Sequence, residues 1–143
     1  MCNTGSMDDC LFCRIVSGKL PSTRVHEDDR VIAIMDIFPA TRGHALVLPR
    51  AHAQDVRDVA DADLEATARV AKLLSGRAVR NLGAAGVTVM QSNGAAAWQT
   101  VFHYHVHVIP RYPDDPLVLP WKPGGEPADG EALAEVAAAY RTD

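Results

Sequence analysis

The run "FHYHVHVIPRY", Phe102 to Tyr112, places His103, His105 and His107 at every second position of an otherwise apolar stretch and closes it with Pro110 and Arg111. Two residues is the side-chain period of a strand. The three imidazoles therefore share one face at steps of roughly 6 to 7 Å, while Tyr104, Val106 and Val108 enter the other. One face suits a core, and the histidine face admits three readings: a half-buried polar face with no further role, a shared metal site, or a central nucleophile or base tuned by its neighbours. The row takes half of the chain's six histidines.

Composition narrows the setting. With 143 residues, 48% hydrophobic and 22% charged, the chain suits one globular domain with a sizeable core. A net charge of -4 argues against a polyanion-binding surface, so no nucleic-acid partner is expected and a phosphate-bearing ligand should be small. No apolar run is long enough to span a bilayer, and "MCNTGSMDD" lacks the regions of a signal peptide. A cytoplasmic protein with no membrane partner is expected. Cys2, Cys10 and Cys13 are too few and odd in number for a secreted disulfide scaffold. "GSM" ahead of Asp8 reads as a cloning remnant, with residues 1–8 expected to be a tag remnant or disordered and Met7 the natural start.

No internal repeat or linker divides the chain, and 1–143 reads as a single domain, with 114–143 a C-terminal loop and helix. "LFCRIVSGK" (Leu11 to Lys19) reads as a short helix closed by Gly18, and "RVHEDDRVIAIMD" as strand, turn and strand. His44 to Arg50 is a further strand. From Asp63 to Leu82, Leu64, Ala68, Ala71, Leu74, Ala78 and Leu82 recur every three or four residues, with Asp61 as N-cap and Gly83 as stop, so this is the main amphipathic helix. Gly86 to Asn93 and His103 to Pro110 read as strands, and Gly130 to Arg141 as a final helix. The fold class is α+β, a mostly antiparallel sheet with helices packed on one side.

The residues before the histidine row, "QSNGAAAWQT", supply neutral donors suited to phosphate oxygens: Asn93, Gln99 and Thr100. Asn93-Gly94 is equally a turn dipeptide, and Gln99 can simply be solvated. "CLFC" places Cys10 and Cys13 at a spacing that suggests metal binding or redox chemistry in a reducing compartment, or two small thiols packed at a helix start. His26, beside an acidic turn with no identifiable partner, is expected at the surface.

"QSNGAAAWQTVFHYHVHVIPRY", "CLFCRIVSGKLPS" and "DIFPATRGHALVLPRAH" together resemble the histidine triad (HIT) family of nucleotide hydrolases and transferases over roughly Asp9 to Pro113. The resemblance implies His105 as the nucleophile that attacks the α-phosphorus of a purine nucleotide and becomes nucleotidylated. His107 would contact phosphate and leaving group, and His44 is the fourth histidine of the pattern. Asp36 would bond the ribose hydroxyls with Ile37 against the base, and Asn93, Gln99 and Thr100 would serve ribose and phosphate. The family has Ala-Gly-Gln where this chain has Ala97-Trp98-Gln99, so Trp98 either takes a glycine's backbone angles or rearranges the loop. The resemblance also implies a structural zinc on Cys10, Cys13, His52 and His103, and a homodimer. No catalytic metal is required. The expected activity is hydrolysis of adenosine 5'-phosphoramidate-type substrates, the alternatives being a dinucleoside polyphosphate hydrolase and a nucleotide-binding scaffold with little turnover.

Overall fold

A computed structural model describes residues 9–143; the expectation for residues 1–8, Cys2 included, lies outside the described residues. The elements in chain order are α1 (Leu11–Val16), β1 (Arg24–Glu27), β2 (Val31–Met35), β3 (Ala45–Pro49), α2 (Asp61–Leu82), β4 (Gly86–Met90), a 3-10 turn at Ala95–Ala97, β5 (Val106–Arg111) and α3 (Gly130–Tyr140). All five strands pair antiparallel in the order β1-β2-β3-β5-β4. The α+β class follows.

Residues of β2 and β3 sort alternately onto two cores. Val31, Ala33, Ala45 and Val47 pack with Val70, Ala71 and Leu74 of α2. Ile32, Ile34, Leu46 and Leu48 pack with Cys10, Phe12, Cys13 and Ile15 at α1. The helices therefore cover both faces of the sheet, correcting the expectation of one. A sheet covered on both faces needs strands apolar at every position, and "VIAI" and "ALVLP" are buried throughout.

The long helix runs Asp61–Leu82 and stops at Gly83, whose φ of 71° is the left-handed turn that favours glycine. Its N-cap is Ala60, which offers no side-chain bond; Asp61 sits one residue inside, where its charge meets the helix dipole instead. The final helix buries none of its side chains. His26 is half-buried, with Nε2 2.7 Å from Asp28 Oδ2, so a residue with no partner visible in the sequence has one in the structure.

Two strand boundaries differ from the sequence reading by several residues, and the ends of β3 and the far end of β5 by a single residue. The first strand around Gly86 ends at Met90 rather than Asn93. The histidine strand begins at Val106 rather than His103, because the Tyr104 amide donates to the Ala53 carbonyl (2.7 Å) and leaves the ladder. Opposite, Pro49 has no N–H to offer, and its carbonyl is taken by the His103 ring (2.8 Å). Alternation of faces persists: Tyr104, Val106 and Val108 belong to the α2-side core.

Between β2 and β3 the chain turns through Gly43, at φ 92°, where a Cβ would lie 2.6 Å from Leu82 Cδ1 and 3.1 Å from Pro110 Cγ. Gly43→Ala is expected to cost about 1–3 kcal/mol, read as a lower urea midpoint with unchanged slope. A midpoint equal to that of the wild type would contradict this account of the turn.

Candidate functional site

The α1-side face of the sheet opens into a cavity of about 510 Å³. Its apolar wall includes Phe12, Ile15, Ile34 and Leu46, and Asp36, Thr100, His105 and His107 line it with polar groups. Ile37 and Phe38 also border it and are 81% and 85% exposed. An apolar hollow with a few convergent polar groups at one side is the usual form of a small-molecule site.

Backbone partners set the protons of the histidine row. A carbonyl only accepts, so His105 Nδ1, 2.7 Å from the His103 carbonyl, must carry the hydrogen. The lone pair of neutral His105 is left on Nε2. On His44 the logic reverses: Nδ1 accepts from the Ala40 amide (3.0 Å), so the hydrogen sits on Nε2. That Nε2–H lies 2.9 Å from His107 Nδ1 and 3.6 Å from Asp36 Oδ2. His107 Nδ1 therefore accepts, and its own proton is on Nε2. A lone pair on His105 and an N–H on His107 result, on rings whose centroids are 4.9 Å apart.

Asp36, His44 and His107 bring ligand-type atoms within 4.8 Å of one another. His44 has no lone pair to give there, since its Nε2 carries the hydrogen, so this cluster is a proton row rather than a metal cage. Asp36 Oδ1 accepts from the Phe38 amide (2.8 Å), which fixes the carboxylate at the cavity edge.

Burial holds these imidazoles neutral. It lowers the His44 and His105 pKa values, and pushes His107 down to about 4, with the neighbouring His105 and His44 adding to that shift.

The remaining predicted residues divide. Thr100 borders the cavity. Gln99 is buried with both ends of its amide engaged: Oε1 accepts from the Gly94 amide, and Nε2 donates to the carbonyls of Gln54 and Val101. Asn93 Oδ1 accepts from the Val56 amide (2.7 Å), and its amide pairs with that of Gln91. Both therefore tie the connecting loop together. Trp98 takes a glycine's backbone, φ 74° and ψ 15°, alone among the described non-glycine residues in having positive φ, and its side chain is 65% exposed. Phe12, between the two cysteines in sequence, lines the cavity, a role that sequence reasoning misses; an aromatic residue enclosed by C-x-x-C is the available signal.

Beneath the cavity Cys10, Cys13, His52 and His103 converge. Cys13 Sγ is 3.4 Å from His52 Nδ1 and from His103 Nδ1, Cys10 Sγ is 3.6 Å from His103 Nδ1, and the two Nδ1 atoms are 3.2 Å apart. Tetrahedral zinc, with bonds of about 2.0 to 2.3 Å, has ligand-to-ligand edges of about 3.3 to 3.8 Å. The spacing fits. The donor chemistry fits as well, because His103 donates through Nε2 to Pro49 and so turns a lone pair toward the sulfurs. Burial pushes His103 down to about 4, which keeps that lone pair available.

Between pH 6.5 and about 4 an unfolded chain takes up the proton that folded His107 refuses, so stability falls on acidification through that window. Urea midpoints should drop from pH 6.5 to 4.5, and drop less in His107→Asn. Equal slopes in the two proteins would show that His107 is not a source of the loss.

The HIT domain family matches residues 17–114. A HIT family protein from Bacillus anthracis has a solved structure that superposes with a TM-score of 0.87 at 32% identity, covering 95% of this chain and 97% of that one. A zinc-bound histidine triad family protein from Mycobacterium smegmatis superposes with a TM-score of 0.76 at 37% identity, covering 94% and 99%. The adenylylsulfatase HINT3 of Arabidopsis thaliana is 34% identical over 110 residues, 77% of this chain and 56% of that protein. On the family match and the shared fold, the chain belongs to the HIT domain family.

Proposed function

We propose that the protein is a nucleotide hydrolase or transferase that cleaves a purine nucleotide at its α-phosphorus, with adenosine 5'-phosphoramidate-type compounds as substrates. The observation that carries this reading is the pairing of a lone pair on His105 Nε2 with a proton on His107 Nε2 beside one apolar cavity. The cavity takes the base and ribose, with Asp36 and Ile37 at its edge. Thr100 stands on the phosphate side, and Asn93 and Gln99 shape the loop that presents it. The histidine supplies a nucleophile already neutral at physiological pH.

In the first step His105 Nε2 bonds to the α-phosphorus as the bond to the leaving amine breaks. The incoming phosphate charge favours the protonated form of His107, which gives its Nε2 proton to the amine. Water then attacks the nucleotidyl-histidine, its proton returns to His107, and His105 leaves with its electron pair. Before the substrate's charge protonates His107, the His44 Nε2–H donates to its Nδ1 and leaves the Nε2 proton directed to the cavity. Two displacements at phosphorus retain configuration. The Arabidopsis relative's name describes cleavage of an adenylyl sulfate, which supports a second reading in which sulfate leaves from the same phosphorus.

His105→Asn should still bind AMP while turnover falls about a thousandfold or more. Wild-type enzyme quenched in base should carry an acid-labile, base-stable nucleotide on His105. Near wild-type turnover in the variant, or inversion at a chiral α-phosphorus, would overturn the mechanism.

Cys10, Cys13, His52 and His103 would hold one zinc with no position left for water, a structural role that ties α1 to the histidine row. A homodimer is supported by the edge strand β4, where Val89 is 52% exposed beside a groove of about 420 Å³ against α2. Native mass spectrometry of chelator-free protein reads both: two chains with one zinc each are expected, and a metal-free monomer would remove both proposals.

A further inference from the structure

The four-donor cluster and the cavity meet at one side chain. Phe12 lies between Cys10 and Cys13, is 4% exposed, and lines the cavity. Its ring stands edge-to-face on His103 (centroids 6.0 Å apart, 76°) and on His105 (5.0 Å, 87°). The turn that carries it is tight: the Cys13 amide donates to Cys10 Sγ (3.4 Å) and the Arg14 amide to the Cys10 carbonyl (3.0 Å). The ring's place therefore follows from where the two sulfurs are held.

Among the described residues, the hydrogen bond that fixes the His105 ring runs from Nδ1 to the His103 carbonyl. An imidazole that turns about its Cβ–Cγ bond loses that bond and presents the wrong nitrogen, and the proton then redistributes between Nδ1 and Nε2. The Phe12 ring, at 87° to the imidazole, closes one side of His105, which otherwise borders the open cavity, and resists rotation there. We propose that Phe12 is a positioning residue for His105, mounted on the Cys10–Cys13 turn so that the state of the four-donor cluster sets the orientation and tautomer of the histidine in the cavity.

The role of His105 in turnover rests on the function proposed above, whereas the coupling from cluster to Phe12 to His105 does not. The test therefore reads the ring itself. Long-range proton–nitrogen spectra of 15N-labelled protein at pH 7.5 resolve the two nitrogens of each imidazole, with His105 assigned by its absence in His105→Asn. In zinc-loaded wild type His105 should show a single tautomer with the hydrogen on Nδ1. Removing metal with a chelator should move both nitrogens toward averaged positions, and adding zinc back should restore them. Phe12→Leu should show the averaged pattern with zinc present and respond little to chelation, because the link is cut. On an adenosine phosphoramidate, kcat of Phe12→Leu should fall about tenfold with KM within about twofold.

A wild-type His105 spectrum in zinc-loaded Phe12→Leu overturns the proposal, as does a wild-type spectrum indifferent to chelation. If Phe12→Leu does not fold, Phe12→Met, closer in volume, is decided by the same spectra. Absence of phosphoramidase activity in the wild type would sink the proposed reaction, while the spectra would still decide the coupling.

Discussion

The hydrogen bond from His103 Nε2 to the Pro49 carbonyl holds more of this molecule in place than its size suggests. The ring is fully buried, and an unpaired imidazole there would forfeit solvation without return. With one nitrogen committed to Pro49, the other faces Cys10, Cys13 and His52. The same residue's carbonyl receives the His105 proton. One residue thus joins the end of β3, the helix that walls the cavity, and His105. Pro49 makes the arrangement possible by ending the ladder with a carbonyl that no strand neighbour claims.

Much of the fold was legible because it is periodic. The spacing of Leu64, Ala71, Leu74 and Ala78 could only be one helix face, and Gly83 closes the helix with the backbone that a stop needs. The missed features are those that period does not encode. A strand apolar at every position, such as Val31–Ile34, does not say which face meets which helix, so the second covered face stayed hidden until the registers of β2 and β3 were known. The start of β5 was misplaced for a different reason. His103 and Tyr104 keep the alternation of a strand, but the Tyr104 amide spends its bond on Ala53, a partner about fifty residues away in sequence and outside the sheet.

The residues of the candidate site were legible in the sequence, and the placement of their protons was not. Alternation alone put His103, His105 and His107 on one face. Which nitrogen of each carries hydrogen depends on carbonyls and amides contributed by Pro49, His103 and Ala40, and a main-chain group leaves no trace in a sequence. Gln99 and Asn93 show the same limit from the other side: their amide chemistry suited phosphate, and the loop around Gly94 engages it internally. Trp98 is the clearest local conflict. A residue with a Cβ sits in a glycine's conformation, a strain of about 1–3 kcal/mol that the surrounding turn sustains while the indole stays in solvent.

The order of protons along His44 and His107 begins at the amide of Ala40, and an amide cannot reverse its polarity. A side-chain donor at this place would be open to loss by almost any substitution. Here the donor belongs to the peptide unit, so every residue type except proline would carry it equally well. The direction in which these hydrogen bonds point is therefore written into the course of the main chain between β2 and β3. Amino-acid identity at position 40 is free to drift, while the path of the loop is not.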